Sequence, residues 1–122
     1  MILVDTAIWV DHIARPVPAL AELLVRGEVS MHPFVLGELA LGNLRDRRVL
    51  NDLADLPRVE LAFPDEVLSF VERHGLPGSG IGYVDAHLLV AARLTAVTAL
   101  WTRDRRLYTV AQRLGVAFEN PG

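Results

Sequence analysis

The chain contains no cysteine and no lysine among its 122 residues. Without cysteine there is no disulfide framework, thiolate zinc site or thiol nucleophile. Without lysine, Schiff-base chemistry, a Walker-type phosphate loop and the lysine-dependent phosphoryl sites of receiver domains are all excluded, because each needs an ammonium at a fixed place. All 12 basic residues are therefore arginine. Although 52% of the residues are hydrophobic, no apolar run reaches the roughly 18 to 20 residues needed to span a bilayer. The opening MILVDTAIWVDH has no basic leader, so neither a signal nor a transit peptide is expected, and a cytoplasmic protein without a membrane partner is the expectation. Strong positive charge is also missing. A net charge of −3 and a pI near 5.7 count against a dedicated nucleic-acid-binding module, although Arg45, Arg47 and Arg48, or Arg103, Arg105 and Arg106, form local basic patches able to meet phosphates.

What is present is an alternation of short apolar strands and helices, in a length that suits one domain over residues 1–122. MILV reads as a strand, followed by AIWVDHIA with helical spacing and Thr6 as candidate N-cap. Pro16 and Pro18 precede a second helix, ALAELLVR, then a short strand within 28 to 32. Pro33 opens the apolar helix FVLGELALGNL, RDRRVLNDLADL continues as another, and RVELA reads as a strand. DEVLSFVERHG is a helix, LPGSGIG a mobile loop, YVDAHLLVAARL a core helix, AVTALW a strand, RRLYTVAQRLG a helix and VAFE the last strand. The fold class expected is α/β: a central, mainly parallel sheet of four to five strands with helices on both faces. Ligands of such sheets bind outside the carboxyl ends of the strands.

Four acids, Asp5, Glu38, Asp85 and Asp104, fall in segments that otherwise read as core or as strand ends, where an uncompensated carboxylate is expensive. Asp5 follows the first strand, and Asp104 lies three residues after Trp101 on another, so both belong to the same sheet edge. Each has a capping alternative; at Asp5, Thr6 is expected to do the capping. Glu38 sits in a helix apolar on nearly every side, and Asp85 lies in the first turn of its helix, where the helix dipole also favours negative charge. Thr102 is either a turn residue or a hydroxyl that orients water or phosphate. Asp11 is expected to face solvent. His12, His32, His74 and His87 make no ligand pattern, and Ser30, Ser69 and Ser79 occupy no nucleophile elbow. Oxygen-only donors favour Mg²⁺ or Mn²⁺ over zinc and point to phosphodiester hydrolysis. In this reading Asp5, Asp85 and Glu38 hold the metal directly or through water, while Asp104 completes the shell or holds a second ion.

The segments MILVDTAIW, HPFVLGELALG, YVDAHLLVAA and LWTRDRRL together resemble the PIN-domain ribonucleases, and specifically the VapC toxins of bacterial toxin-antitoxin pairs. The resemblance covers essentially the whole chain, and the order Asp, Glu, Asp, Asp is its specific part. It implies that Asp5, Glu38, Asp85 and Asp104 form a metal site, with Thr6 and Thr102 matching the family's accompanying hydroxyls. It further implies an RNA endonuclease, a homodimer, and inhibition by a cognate antitoxin in a toxin-antitoxin hetero-oligomer. The surface around Trp9, Ile13 and Leu20 to Leu24 is the docking region expected for that antitoxin, with core packing as the alternative. Two other readings are an aspartate-dependent phosphohydrolase, which lacks the lysine and Asp-x-Asp pair it needs, and a catalytically silent PIN-like module that binds RNA or protein.

Overall fold

Residues 1–119 are described by the computed structural model. Three strands, β1 (Ile2–Val4), β2 (Val29–Ser30) and β3 (Ala99–Trp101), form a parallel sheet in the order β2-β1-β3. Ile2 is opposite Val29 on one side of β1 and opposite Ala99 on the other. Leu3 and Val4 are fully buried, as expected of parallel strands covered on both faces, which read as continuous apolar runs.

The helices are α1 (Thr6–Ala14), α2 (Pro18–Val25), α3 (Pro33–Leu41), α4 (Val49–Ala54), α5 (Pro64–Arg73), α6 (Tyr83–Leu94) and α7 (Arg105–Arg113). From β1 the chain crosses through α1 and α2 to β2 on one side, and from β2 it returns across β1 to β3 on the other. Right-handed crossovers made in opposite directions place their helices on opposite faces of the sheet. The strand order therefore reverses at β1, and the crevice of such a sheet opens at the carboxyl ends of β1 and β3. Asp5 directly follows the first of these strands and Thr102 the second.

The expected fourth and fifth strands are present as single bridging residues on the two sheet edges. Met31 N–H donates to the Pro57 carbonyl at 2.8 Å and Val59 N–H to the Met31 carbonyl at 3.2 Å, so Arg58 pairs with Met31. Pairing stops there because Glu60 N–H donates to the Thr95 hydroxyl instead. On the opposite edge Ala117 pairs with Leu100. The helix expected over RDRRVLNDLADL is shorter, beginning only at Val49. Asp46 accepts from Arg48 N–H, and the Arg47 guanidinium donates to the Ala40 and Gly42 carbonyls, so the residues before Val49 close the turn after α3.

Helix α6 forms the centre of the core. Ala86 through Ala92 are buried without interruption, and the helix packs on β3 and α5. No helix among the described residues is long and apolar enough to cross a membrane.

Candidate functional site

Asp5 begins the site as the N-cap of α1. Its Oδ1 accepts from Thr6 N–H at 2.8 Å, and its own N–H donates to the Trp101 carbonyl at 2.9 Å, continuing the ladder of β1 and β3. The cap expected at Thr6 is thus supplied by Asp5. Thr6 is the first residue of the helix, and its hydroxyl is left to donate to Glu38 Oε1 at 2.7 Å. That bond ties the start of α1 to α3.

The buried Thr102 hydroxyl links the two strand-end acids. It donates to Asp5 Oδ2 at 2.8 Å and accepts from Asp104 N–H at 3.1 Å. Asp104 in turn caps α7, its Oδ1 accepting from the N–H groups of Arg106 and Leu107 at 2.9 and 3.0 Å. Asp85 sits in the first turn of α6, where Oδ2 accepts from Gly82 N–H at 3.3 Å. Burial, followed by the negative charges of Asp5, Asp104 and Glu38, pushes the Asp85 carboxyl above its ordinary range, with the Gly82 bond opposing. All four sequence-predicted acids therefore lie within electrostatic reach of one point, and Thr102 lies between two of them. Glu38 and Asp104 are solvent-exposed, whereas Asp5 and Asp85 are partly buried.

A family model described as PIN domain matches residues 2–113, a span that includes every one of these side chains. The chain belongs to the PIN-domain family. Among its relatives are the proteins named Ribonuclease VapC32 from two strains of Mycobacterium tuberculosis, CDC 1551 / Oshkosh and ATCC 25618 / H37Rv. Each is 45% identical over 118 residues, which is 96% of this chain and 95% of the relative. The resemblance read from the four acidic motifs is thereby borne out.

In this PIN domain the acids of three helices keep unengaged oxygens. Among the described residues, Glu38 Oε2, Asp85 Oδ1 and Asp104 Oδ2 accept no hydrogen bond, while both oxygens of Asp5 are already fixed. No group of three acidic or histidine side chains among the described residues is already drawn together as a ready coordination shell. Mutual repulsion of like charges favours that spacing. An all-oxygen donor set with open lone pairs suits a hard divalent cation.

Several neighbours of the site were not legible in the sequence. Asp11 keeps 45% of its side chain exposed, as expected, but also pairs with Arg103 at 2.8 Å and links α1 to the turn after β3. Beside Glu38 a groove of about 690 Å³ runs between α1 and the segment joining α3 to α4, lined by Val10, Ile13, Ala14, Leu39, Arg45 and Val49 among others. The docking surface expected around Trp9 and Leu20 to Leu24 is corrected by burial: Trp9 and Leu20 are inside the core, with Leu23 and Leu24 packed against it. Only Ile13 of that set lines the groove. Helical spacing identified the residues that share a face; it did not say that α1 turns Trp9 inward and Val10 outward. The histidines make contacts within the fold. His12 Nδ1 accepts from Val17 N–H and His32 Nδ1 from Phe34 N–H, and both His32 and His87 are buried.

Proposed function

We propose that this PIN domain, taken as one domain over residues 1–122, is a divalent-metal-dependent endoribonuclease that acts as the toxin of a toxin-antitoxin pair and inhibits translation by cutting RNA. The observation that carries this reading is the convergence of Asp5, Glu38 and Asp104 on Asp85 from four separate parts of the chain. The ribonuclease name of the Mycobacterium relatives supports the substrate class.

Asp5, Asp85 and Glu38 would hold Mg²⁺ or Mn²⁺ directly or through water, and the Asp5 carboxylate is already oriented for this by Thr6 N–H and Thr102. When bound, such an ion neutralises charge on the phosphoryl oxygens and lowers the pKa of water enough for it to attack at neutral pH. Asp104 either completes that shell or serves a second ion. Thr102 holds Asp5 and Asp104 at a fixed separation, and its own proton is committed to Asp5 Oδ2, so its role is to position both acids.

The antitoxin is assigned to the groove at Val10, Ile13 and Leu39, because an apolar segment seated there ends beside Glu38 and blocks access to the acids. A homodimer and a toxin-antitoxin hetero-oligomer complete the assembly proposed.

The decisive experiment incubates the purified protein with total RNA, with and without Mn²⁺, and sequences the cut ends. Cleavage is expected only with the metal, and Asp5→Asn is expected to abolish it without unfolding the protein. Undiminished cleavage in EDTA or by the Asp5→Asn protein would sink the metal mechanism; binding without cleavage would favour the silent module.

A further inference from the structure

The loop entering α6 lies against one arginine side chain at a glycine of positive φ. Gly80 has φ +85°, and a Cβ built on it would stand 2.7 Å from Arg106 Cδ, 2.9 Å from Nη1 and 3.1 Å from Nε. Real Cβ atoms do not approach other atoms that closely, and a side chain at this φ is strained in any case. The Arg106 side chain therefore lies along the loop backbone in a slot at Gly80 that a side chain at residue 80 would share only by displacing it. Both ends of the arrangement lead to the acidic site. Arg106 N–H is bonded to Asp104 Oδ1, and the loop runs through Gly82 into Asp85.

The Arg106 guanidinium makes no ion pair among the described residues. The ion pairs found there are Arg26 with Glu22, Arg48 with Asp46 and Arg103 with Asp11. Its neighbour Arg103 is thus paired within the fold, whereas the exposed Arg106 lies against Gly80 with its guanidinium uncommitted to any carboxylate. A planar guanidinium offers parallel donors that match two oxygens of one phosphate.

We propose that Arg106, laid in the slot at Gly80, is a substrate-binding residue that receives a backbone phosphate of the RNA next to the bond positioned at Asp85 and Asp104. This rests on the ribonuclease reading and deepens it by assigning the grip on the strand to one arginine out of twelve.

The test measures binding of a labelled single-stranded RNA to the Asp5→Asn protein in Mn²⁺ over a range of salt concentrations, with cleavage by otherwise wild-type chains in parallel. Arg106→Gln is expected to weaken binding on the order of tenfold, as loss of a charge-assisted bond does, and to reduce the slope of log K against log salt by about 0.7, as for one phosphate of a single strand. Arg106→Lys should restore the slope but only part of the affinity, since a lysine keeps the charge without the fork. In cleavage, KM should rise while kcat changes little. Arg105→Gln, on the exposed neighbour outside the slot, serves as the control and should leave affinity within about twofold. Gly80→Ala should copy Arg106→Gln in affinity and add nothing to it in the double variant. Unchanged affinity and slope in Arg106→Gln, or equal losses at Arg105, overturn the assignment whether or not Gly80→Ala folds. Tight, Arg106-dependent binding with no cleavage by the wild type would instead leave the assignment standing and overturn the ribonuclease reading. No binding of RNA by the Asp5→Asn protein would overturn both.

Discussion

Helices α3 and α6 look alike as sequences and behave differently as structures. Both are strongly apolar, and each carries one acid of the site: PFVLGELAL with Glu38 and YVDAHLLVAARL with Asp85. Seven successive residues of α6 are buried, so the helix is enclosed on all sides and its first turn holds Asp85 partly out of water among three other carboxylates. In α3 only Val35 and Leu39 are buried, Phe34 is 41% exposed and Leu41 is 91% exposed. Glu38 therefore stands in solvent, placed by a hydroxyl from α1 instead of by its own helix. An enclosed helix fixes a carboxylate at an electrostatic cost. A helix packed on one side leaves the carboxylate free of that cost but dependent on a neighbour for its position.

The sharpest break between the two would come from neutralising each acid in turn. Asp85→Asn is expected to lower RNA cleavage on the order of 10³-fold, equivalent to several kcal/mol of lost charge stabilisation. The same variant should melt higher than wild type in EDTA at pH 7. The Asp85 carboxyl is raised in the fold, so its ionised form subtracts from stability above the folded value, and that cost disappears as pH falls through it. Glu38→Gln should reduce cleavage by a smaller factor and leave the melting temperature in EDTA unchanged. If both variants shift the melting temperature equally, the contrast between the helices is false.

Truncation of the core tests the same contrast through packing. Leu89 on α6 is fully buried, so Leu89→Ala should cost about 3 kcal/mol by urea denaturation, from lost burial and the cavity left behind. A cost under about 1 kcal/mol would mean that α6 is not the enclosed element described.

Much of this was legible in the sequence, and the parts that were not share a cause. Strand-helix alternation fixes the order of elements, and an acid just after an apolar strand must appear at the sheet edge whatever the packing. Sidedness is another matter. Because α3 is apolar almost all round, no periodicity could show that Glu38 and Leu41 face solvent, and the spacing in α1 could not show that Trp9 faces the core. Pairings between distant segments, such as Thr6 with Glu38 and Asp11 with Arg103, leave no local signal at all. The edge strands RVELA and VAFE were recognisable as extended chain, yet how many of their residues join the sheet depends on competing acceptors such as the Thr95 hydroxyl.

Acid should loosen α3 first. His32 is buried and its Nδ1 accepts from Phe34 N–H at the start of that helix, a role open only to the neutral ring. Burial, then the proximity of His87 and Arg58, lowers its pKa from 6.5 to about 4. The stability this supplies is complete above pH 6.5 and is lost as pH falls toward 4, with a slope of up to about 1.4 kcal/mol per pH unit. His32→Asn, which retains an N-cap acceptor, should flatten the urea midpoint between pH 7 and pH 5. An unchanged slope would place the acid-sensitive group elsewhere.

Asp104 separates the two roles that Asp85 combines. It is exposed and caps α7, so Asp104→Asn, which keeps the cap, should reduce cleavage less than Asp85→Asn does and leave stability almost unaltered. Asp104→Ala should add a loss of about 1 kcal/mol from the unsatisfied first turn. Loss of activity at Asp104→Asn equal to that at Asp85→Asn would raise Asp104 to the same rank.

The smallest effect expected is at Leu41, and its smallness is informative. With 91% of its surface in water, Leu41→Ser should change the stability of the isolated chain by less than about 0.5 kcal/mol, against about 3 kcal/mol for Leu89→Ala in α6. The measurement is a urea midpoint taken at several protein concentrations. A loss above about 1 kcal/mol that grows with concentration would show that a second copy covers Leu41, because only an association that Leu41 stabilises makes the loss itself depend on concentration. A loss independent of concentration would show that α3 is enclosed within its own chain, as α6 is.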